Sequence, residues 1–276
     1  VTINPLDVFF WTFRRNERDV VNLYTTLSPV MQLATGGSML NFGYWSSQHN
    51  DPISAQKNLC TTFGNLAELS SAKSVVDVGS GLSAPSKIWR DCFPNLDLYC
   101  VNINFKQLGF SGKQKNIEFL NSTSTAIPLA NNSVDRVLAL ESAQHFKPLS
   151  IFIQESKRIL KKDGLLVLAV PVVIGKSSLG FLDLLKFTWS SEHYSLDYLK
   201  SLISAADFHI SEEKLIGPWV YNPLADFYIK NRSEIRKLIL KEYPRYVESI
   251  LFKSIKKMKE ASEKRIIDYV LIKCHI

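Results

Sequence analysis

An apolar run, one acid and two glycines stand together in SVVDVGSGLSAPS, residues 74–86. Glycines between a strand and a helix let the backbone approach a bound group closely, and a helix N-terminus favours polar or anionic groups. Gly79 to Ala84, GSGLSA, satisfies the G-x-G-x-x-G/A spacing of nucleotide-binding turns. The chemistry on offer is the binding of a nucleoside-bearing cofactor. Three features turn away from a nicotinamide dinucleotide. Asp77 sits two residues before the first glycine, about seventy residues precede the motif, and YCVNIN supplies the amide of Asn102 rather than an acid for ribose hydroxyls. His145, in ESAQHF, is the candidate for proton transfer. Histidine exchanges protons near neutral pH, and this one follows a strand at the carboxyl end of the sheet, where ligands bind in open α/β folds.

Alternating strands and helices position these residues. DPISAQKNLCTTFGNLAEL reads as a helix capped by Asp51 with Pro52 at its first position. SVVDVG is a buried strand, APSKIWRDCF a helix, DLYCVNI a strand, NFKQLGFSG a short helix and NIEFLN a strand. SVDRVLAL, LSIFIQESKRIL and GLLVLAVPV continue as strand, amphipathic helix and buried strand. SLDYLKSLISAADF is a helix, and HISEEKLIG and RIIDYVLIKCHI are strands. The pattern predicts an α/β fold: a doubly wound, mostly parallel seven-stranded sheet with helical lid elements. Residues 1–50 mix aromatic and polar residues over two expected helical stretches. Residues 223–262 are helical in pattern and broken near Pro244, with Val247, Ile250, Leu251, Ile255 and Met258 on one face and lysines on the other. The expected units are an N-terminal helical lid (1–70), a cofactor-binding core (71–217), a helical insertion forming part of an acceptor pocket (218–265) and a final core strand (266–276).

The chain resembles the class I S-adenosylmethionine-dependent methyltransferases over roughly residues 20–275, and within them the small-molecule branch that methylates sugars of natural products, polyketides, quinones and lipids. The resemblance rests on MLNFGYW, VVDVGSGLSAPS, VNINFKQL, AIPLANNSVDRVLALESAQHF, ESKRILKKDGLLVLA and LSAADF, in that order. It implies S-adenosyl-L-methionine as cofactor and a Rossmann-like methyltransferase fold. Asp77 would organise the turn near the methionyl amino group, and Gly79, Ser80 and Gly81 would pass under the methionyl and ribose portions. Asn102 and Gln107 would reach the ribose, Thr123 and Ser124 would flank adenine, and Leu140 and Glu141 would close the methionyl side. Tyr44 and Trp45 would wall the pocket. His145 would be a general base.

Four positions depart from the family pattern. Ser83 replaces the third glycine of the turn, Asn102 stands where an acid is common, and Thr123 stands where an Asp commonly binds the adenine amino group. The acid that assists such a histidine from the end of the fifth strand is absent from LAVPVV, which has Val170 and Pro171 there. The implied activity is methyl transfer to a small apolar acceptor, at oxygen ahead of nitrogen or carbon. A non-methylating protein on the same fold, cyclase-like or binding, is the alternative of another class, with a nicotinamide oxidoreductase behind it.

Composition sets outer bounds. Of 276 residues, 46% are hydrophobic and 21% charged, which suits a globular protein with a sizeable core. The net charge of +7 equals that of Lys230 to Arg265 alone, where twelve Lys/Arg face five Glu, so the rest sums to zero. That argues against nucleic acid as partner. A solvated face is the ordinary reading of such a helix; an anionic membrane surface or an acidic acceptor are the others. Cys60, Cys92, Cys100 and Cys274 show no metal spacing and read as reduced core thiols of a cytoplasmic protein. No metal site is expected. His193 is expected at a lid or in solvent, and His49, His209 and His275 are expected to be structural. The longest apolar run, LLVLAVPVVIG, is too short to span a bilayer.

Overall fold

A capping box opens the first helix of the computed structural model, which describes residues 16–109, 115–176, 181–189 and 191–276. Asn16 accepts from the Asp19 N–H and Asp19 accepts from the Asn16 N–H, closing two otherwise unpaired donors at the start of α1 (Glu17–Thr35). Gly36, at φ 74°, ends it. The other helix expected within residues 1–50 falls on residues 1–15, outside the described residues. Asp51 caps α2 (Pro52–Leu66) as its sequence predicts, accepting from the Ser54 N–H at 3.1 Å.

The sheet follows: β1 (Ser74–Val78), α3 (Ala84–Cys92), β2 (Asp97–Val101), α4 (Phe105–Gly109), β3 (Ile117–Leu120), β4 (Val134–Leu140), α5 (Leu149–Ile159) and β5 (Leu160–Val173). Then come α6 (Asp183–Trp189), α7 (Leu196–Ala205), β6 (His209–Leu215), α8 (Tyr221–Glu242), α9 (Arg245–Glu263) and β7 (Ile267–His275). The seven strands run in the order β3-β2-β1-β4-β5-β7-β6. β1 to β5 pair parallel with one another, and β7 is antiparallel to both β5 and β6.

Period-two alternation divides the apolar strands between two core layers. Leu165, Val167 and Ala169 face one layer with Leu59, Phe63 and Trp89. Leu166, Leu168, Val170 and Val172 face the other with Phe152, Ile153, Leu199 and Ile203. Each fully buried Leu, Ile or Phe contributes about 1.5–3 kcal/mol relative to exposure, so these two layers hold the sheet rigid beneath its loops.

The expected lid over 1–70 divides in two. α1 borders the cavity described below, but α2 belongs to the core, with Ala55, Leu59, Cys60 and Phe63 fully buried on the sheet. Cys60, Cys100 and Cys274 are buried free thiols as expected; Cys92 is exposed and corrects the reading of all four as core. The predicted insertion between the last two strands is α8 and α9, and the break comes at Pro244, whose ring presets φ at −61° for the start of α9. Glu248, fully buried on α9, is held by Arg232 of α8 at 2.8 Å and Arg236 at 3.6 Å. Val247 packs with Tyr228, Ile235, Ile239 and Tyr243 of the α8 arm and with Val30 of α1, joining lid and insertion in one apolar cluster. Among the described residues no helix is long and apolar enough to cross a membrane.

Candidate active site

A cavity of about 340 Å³ lies at the carboxyl ends of β1, β2 and β4, bordered by α1, α8 and α9. β1 delivers the turn 79–83. Gly79 and Ser80 donate their N–H groups to the carbonyl of Val101, at 2.8 and 3.1 Å, which pins the turn to β2. Gly79 and Gly81 hold φ at 75° and 56°, the left-handed region that glycine enters without penalty. Their neighbourhoods differ. A Cβ on Gly79 would meet Ser142 Cβ at 2.4 Å, whereas a Cβ on Gly81 would meet nothing within 4 Å. Gly81 lines the cavity, so the open space beside it belongs to the cavity.

Ser83 keeps the left-handed conformation, at φ 56°, and is fully buried. The backbone that a third glycine would serve is retained, at a cost of about 1–2 kcal/mol for a residue with a Cβ.

Asn102, at the end of β2, holds the turn from the other side. Its amide donates to the Gly81 carbonyl and to Gln107 Oε1, both at 3.0 Å, and its oxygen accepts from the Asn104 N–H. α1 reaches the same corner: Asn104 bonds Thr25 Oγ1 at 3.1 Å and Gln107 bonds Ser28 Oγ at 3.4 Å.

Gly79, Ser80, Gly81, Asn102, Gln107, Thr123, Ser124, Leu140, Glu141 and His145 all line the cavity. Asp77, Tyr44 and Trp45 do not. Asp77 is buried behind the turn and accepts from Ser86 Oγ of α3; burial pushes its carboxyl up to about 6, with the Ser86 bond opposing. Its bond to Ser86 ties β1 to α3, and Asp77 does not line the cavity. Tyr44 lies under Lys214 of β6, whose ammonium is 5.7 Å from the ring centroid, and Trp45 packs on Phe227. Leu40, Asn41 and Phe42 of the same segment line the wall in their place. His193 is not in the lining; its Nδ1 bonds the Ser191 carbonyl.

Two groups at the end of β4 carry chemistry. Glu141 sits at φ 53°, accepts the Phe42 N–H at 3.0 and 3.1 Å, and accepts the Tyr269 hydroxyl at 2.9 Å. Burial raises its carboxyl to about 8, with the Phe42 and Tyr269 bonds opposing the rise. His145 closes the short turn Ala143–His145, and its Nε2 is 2.8 Å from the hydroxyl of Tyr24 on α1. The Tyr24 phenol is buried, and burial, then the Glu141 charge, makes it hold its proton more firmly than usual. Gln144 places its amide 3.3 Å from the same nitrogen. Tyr24 belongs to the aromatics of residues 9–24, readable as lid core or substrate cage, but nothing local pairs it with a histidine 121 positions away.

Residues 76–168 match the methyltransferase domain family. Over that span this chain carries a methyltransferase domain. It is similar to the erythromycin 3''-O-methyltransferase of Saccharopolyspora erythraea, 25% identical over 165 residues that cover 57% of this chain and 54% of that one. The chain thus spans about half the length of that relative. In fold, the domain superposes on the cyclopropane synthase MmaA2 of Mycobacterium tuberculosis with a TM-score of 0.80, at 14% identity over 98% of this chain and 99% of that one. The [4+2]-cyclase SpnF gives 0.76 at 15% identity, over 94% and 95%.

The cofactor of the methyltransferase domain is S-adenosylmethionine, and the site's own features fit it. A Cβ on Gly81 would meet nothing within 4 Å, and the amides of Asn102 and Gln107 line the same cavity, so the turn leaves room for a ribose and methionyl chain. The described lining holds no Lys or Arg, so no fixed cation repels a sulfonium there. Among the described residues no cluster of His, Cys, Asp and Glu can hold a metal ion.

Proposed function

We propose that this methyltransferase domain transfers a methyl group from S-adenosylmethionine to a hydroxyl of an uncharged, largely apolar small molecule. The observation that carries the reading is the lining. The chain's whole net positive charge lies in 230–265, yet no Lys or Arg of that segment lines the cavity, which instead receives Val247, Ile250, Leu251, Ile255 and Met258. Burying an unpaired anion against such a wall costs several kcal/mol, so an acidic acceptor is disfavoured. The name of the erythromycin relative, an O-methyltransferase, supports oxygen as the methylated atom.

The bound sulfonium supplies an electrophilic methyl group. The protein's part is alignment and proton removal. His145 would take the acceptor's hydroxyl proton on Nε2 and so ready that oxygen to receive the methyl group. In this structure the Tyr24 hydroxyl stands at that nitrogen, 2.8 Å away, where an acceptor hydroxyl must arrive. Tyr24 therefore holds the imidazole from the lid until the acceptor hydroxyl displaces it at Nε2. Glu141 fixes the wall by clamping the Phe42 amide and the Tyr269 hydroxyl to β4.

A second reading, a non-methylating protein on this fold, draws on the acid missing at Val170 and Pro171. Transfer of label from methyl-labelled S-adenosylmethionine into an organic extract separates the two: label in a neutral product supports the first reading, and tight cofactor binding without transfer supports the second. We also propose a cytoplasmic location, on the burial of Cys60, Cys100 and Cys274 in the core with none of the four cysteines in a disulfide.

A further inference from the structure

The apolar stripe of α9 has one buried polar member. Ser254 is 4% exposed, lines the cavity, and lies between Ile250 and Leu251 on one side and Ile255 and Met258 on the other. Its Oγ is 2.6 Å from Thr188 Oγ1 of α6, which also lines the cavity. A hydroxyl has one hydrogen to give. Thr188 gives its hydrogen to the Leu184 carbonyl at 2.9 Å. Either hydroxyl can be the donor by distance alone; keeping both contacts of Thr188 assigns the hydrogen between them to Ser254. The chain runs in one direction, Ser254 to Thr188 to Leu184, and leaves Ser254 Oγ with acceptor lone pairs only. A serine held this way receives a hydrogen bond and has none to offer.

Resting on the proposed apolar acceptor, we infer that Ser254 is a specificity residue that receives a hydrogen bond from a second hydroxyl or N–H of that acceptor. The acceptor then carries at least two donors: one delivered to His145, where methylation occurs, and one read by α9. A carbonyl or ether oxygen at the second position finds no donor on Ser254 and meets its lone pairs instead, and the desolvation of both groups goes uncompensated. Of the other α9 residues that line the cavity, Tyr246 alone carries a polar atom, and it is half exposed at the start of the helix, whereas the rest are hydrocarbon or thioether.

The test measures equilibrium binding by calorimetry in the presence of S-adenosylhomocysteine. The probes are straight-chain alkanols of increasing length, the matched α,ω-alkanediols, and the matched keto alkanols with a methyl ketone at the far end. In the wild type, at the chain length that spans the two sites, the diol should bind better than both the alkanol and the keto alkanol. The ratio of alkanol to diol dissociation constants should fall by roughly three- to tenfold in Ser254→Ala, with alkanol affinity little changed. Thr188→Val frees the Ser254 hydrogen and should raise affinity for the keto alkanol by a similar factor. A wild type that binds keto alkanol as well as diol at every length, or a diol preference that survives Ser254→Ala, overturns the inference while leaving the apolar reading in place. Failure of every probe, alkanols included, overturns the apolar reading and the inference together.

Discussion

The hydroxyl of Tyr24, on the lid helix, stands 2.8 Å from Nε2 of His145, at the end of the fourth strand. The lid and the candidate base are thereby one hydrogen-bonded unit. Residues that act as a unit do not contribute additively. His145→Ala should lower methyl transfer by roughly 10²–10⁴-fold, the usual worth of a general base. Tyr24→Phe should cost about tenfold, and Tyr24→Phe in the His145→Ala background almost nothing further. Both variants should bind S-adenosylhomocysteine with near-native affinity. Single-turnover transfer from labelled cofactor measures the four rates; full additivity of the two losses would separate the residues.

The two glycines of the turn should respond in different currencies. Gly81→Val places a side chain in open cavity, so it should abolish S-adenosylhomocysteine binding while costing the fold only about 1–2 kcal/mol for its left-handed backbone. Gly79→Val drives a Cβ into Ser142 at 2.4 Å, and should lower the melting temperature strongly because neither strand end can retreat. Calorimetry and thermal melts on both variants check the pair. A stable Gly79→Val that merely loses the cofactor would show that Ser142 yields.

That contrast shows where sequence reading stops. The motif GSGLSA marks the turn because the need for φ above zero is written in residue type, but which glycine faces the ligand depends on Ser142, over sixty positions away. The strands were legible from alternation, and Asp51 with Pro52 from local capping chemistry. The α9 stripe was legible as apolar, yet periodicity says which side is apolar and not that it walls a cavity. For the same reason α2 read as lid and packs as core, and Tyr44 read as wall while Phe42 takes the place. Tyr24, one aromatic among many near the start of the chain, has no local signal that pairs it with His145.

Glu141 predicts a pH dependence of stability. Its folded carboxyl is raised to about 8 from an ordinary value of 4.5, and Asp77 is raised to about 6 from 3.8. Between those limits the native state holds protons that the unfolded chain has released, so stability falls as pH rises, from roughly pH 4 through pH 8. The part of the slope above about pH 6 belongs to Glu141. Glu141→Gln should flatten that part, by up to a few kcal/mol across the range. Urea titrations at a series of pH values measure it, and an equal slope in the variant above pH 6 would place the ionisation elsewhere.

The lysines of α9 should matter little. Its apolar stripe is committed to the cavity, while Lys253 and Lys256 are exposed and Lys257 and Lys259 make ion pairs with Glu260 and Asp226. Partly exposed pairs are worth about 0–1 kcal/mol each. Changing all four lysines to Gln should leave turnover near native and the melting temperature within a few degrees. Wild-type sedimentation with anionic vesicles that disappears in the quadruple variant would instead assign this face to a membrane surface, since each lysine near such a surface is worth about 1 kcal/mol.

The central claim is methyl transfer to a neutral, apolar, hydroxylated acceptor. The most direct measurement incubates the protein, wild type and His145→Ala, with methyl-labelled S-adenosylmethionine and a small-molecule extract, then partitions the products between organic solvent and water. The account predicts label in the organic phase, in a neutral product that carries a new methyl ether, with the His145→Ala yield reduced at least about a hundredfold. Label confined to anionic, water-soluble products, or no label transferred by a protein that binds S-adenosylhomocysteine tightly, would contradict it.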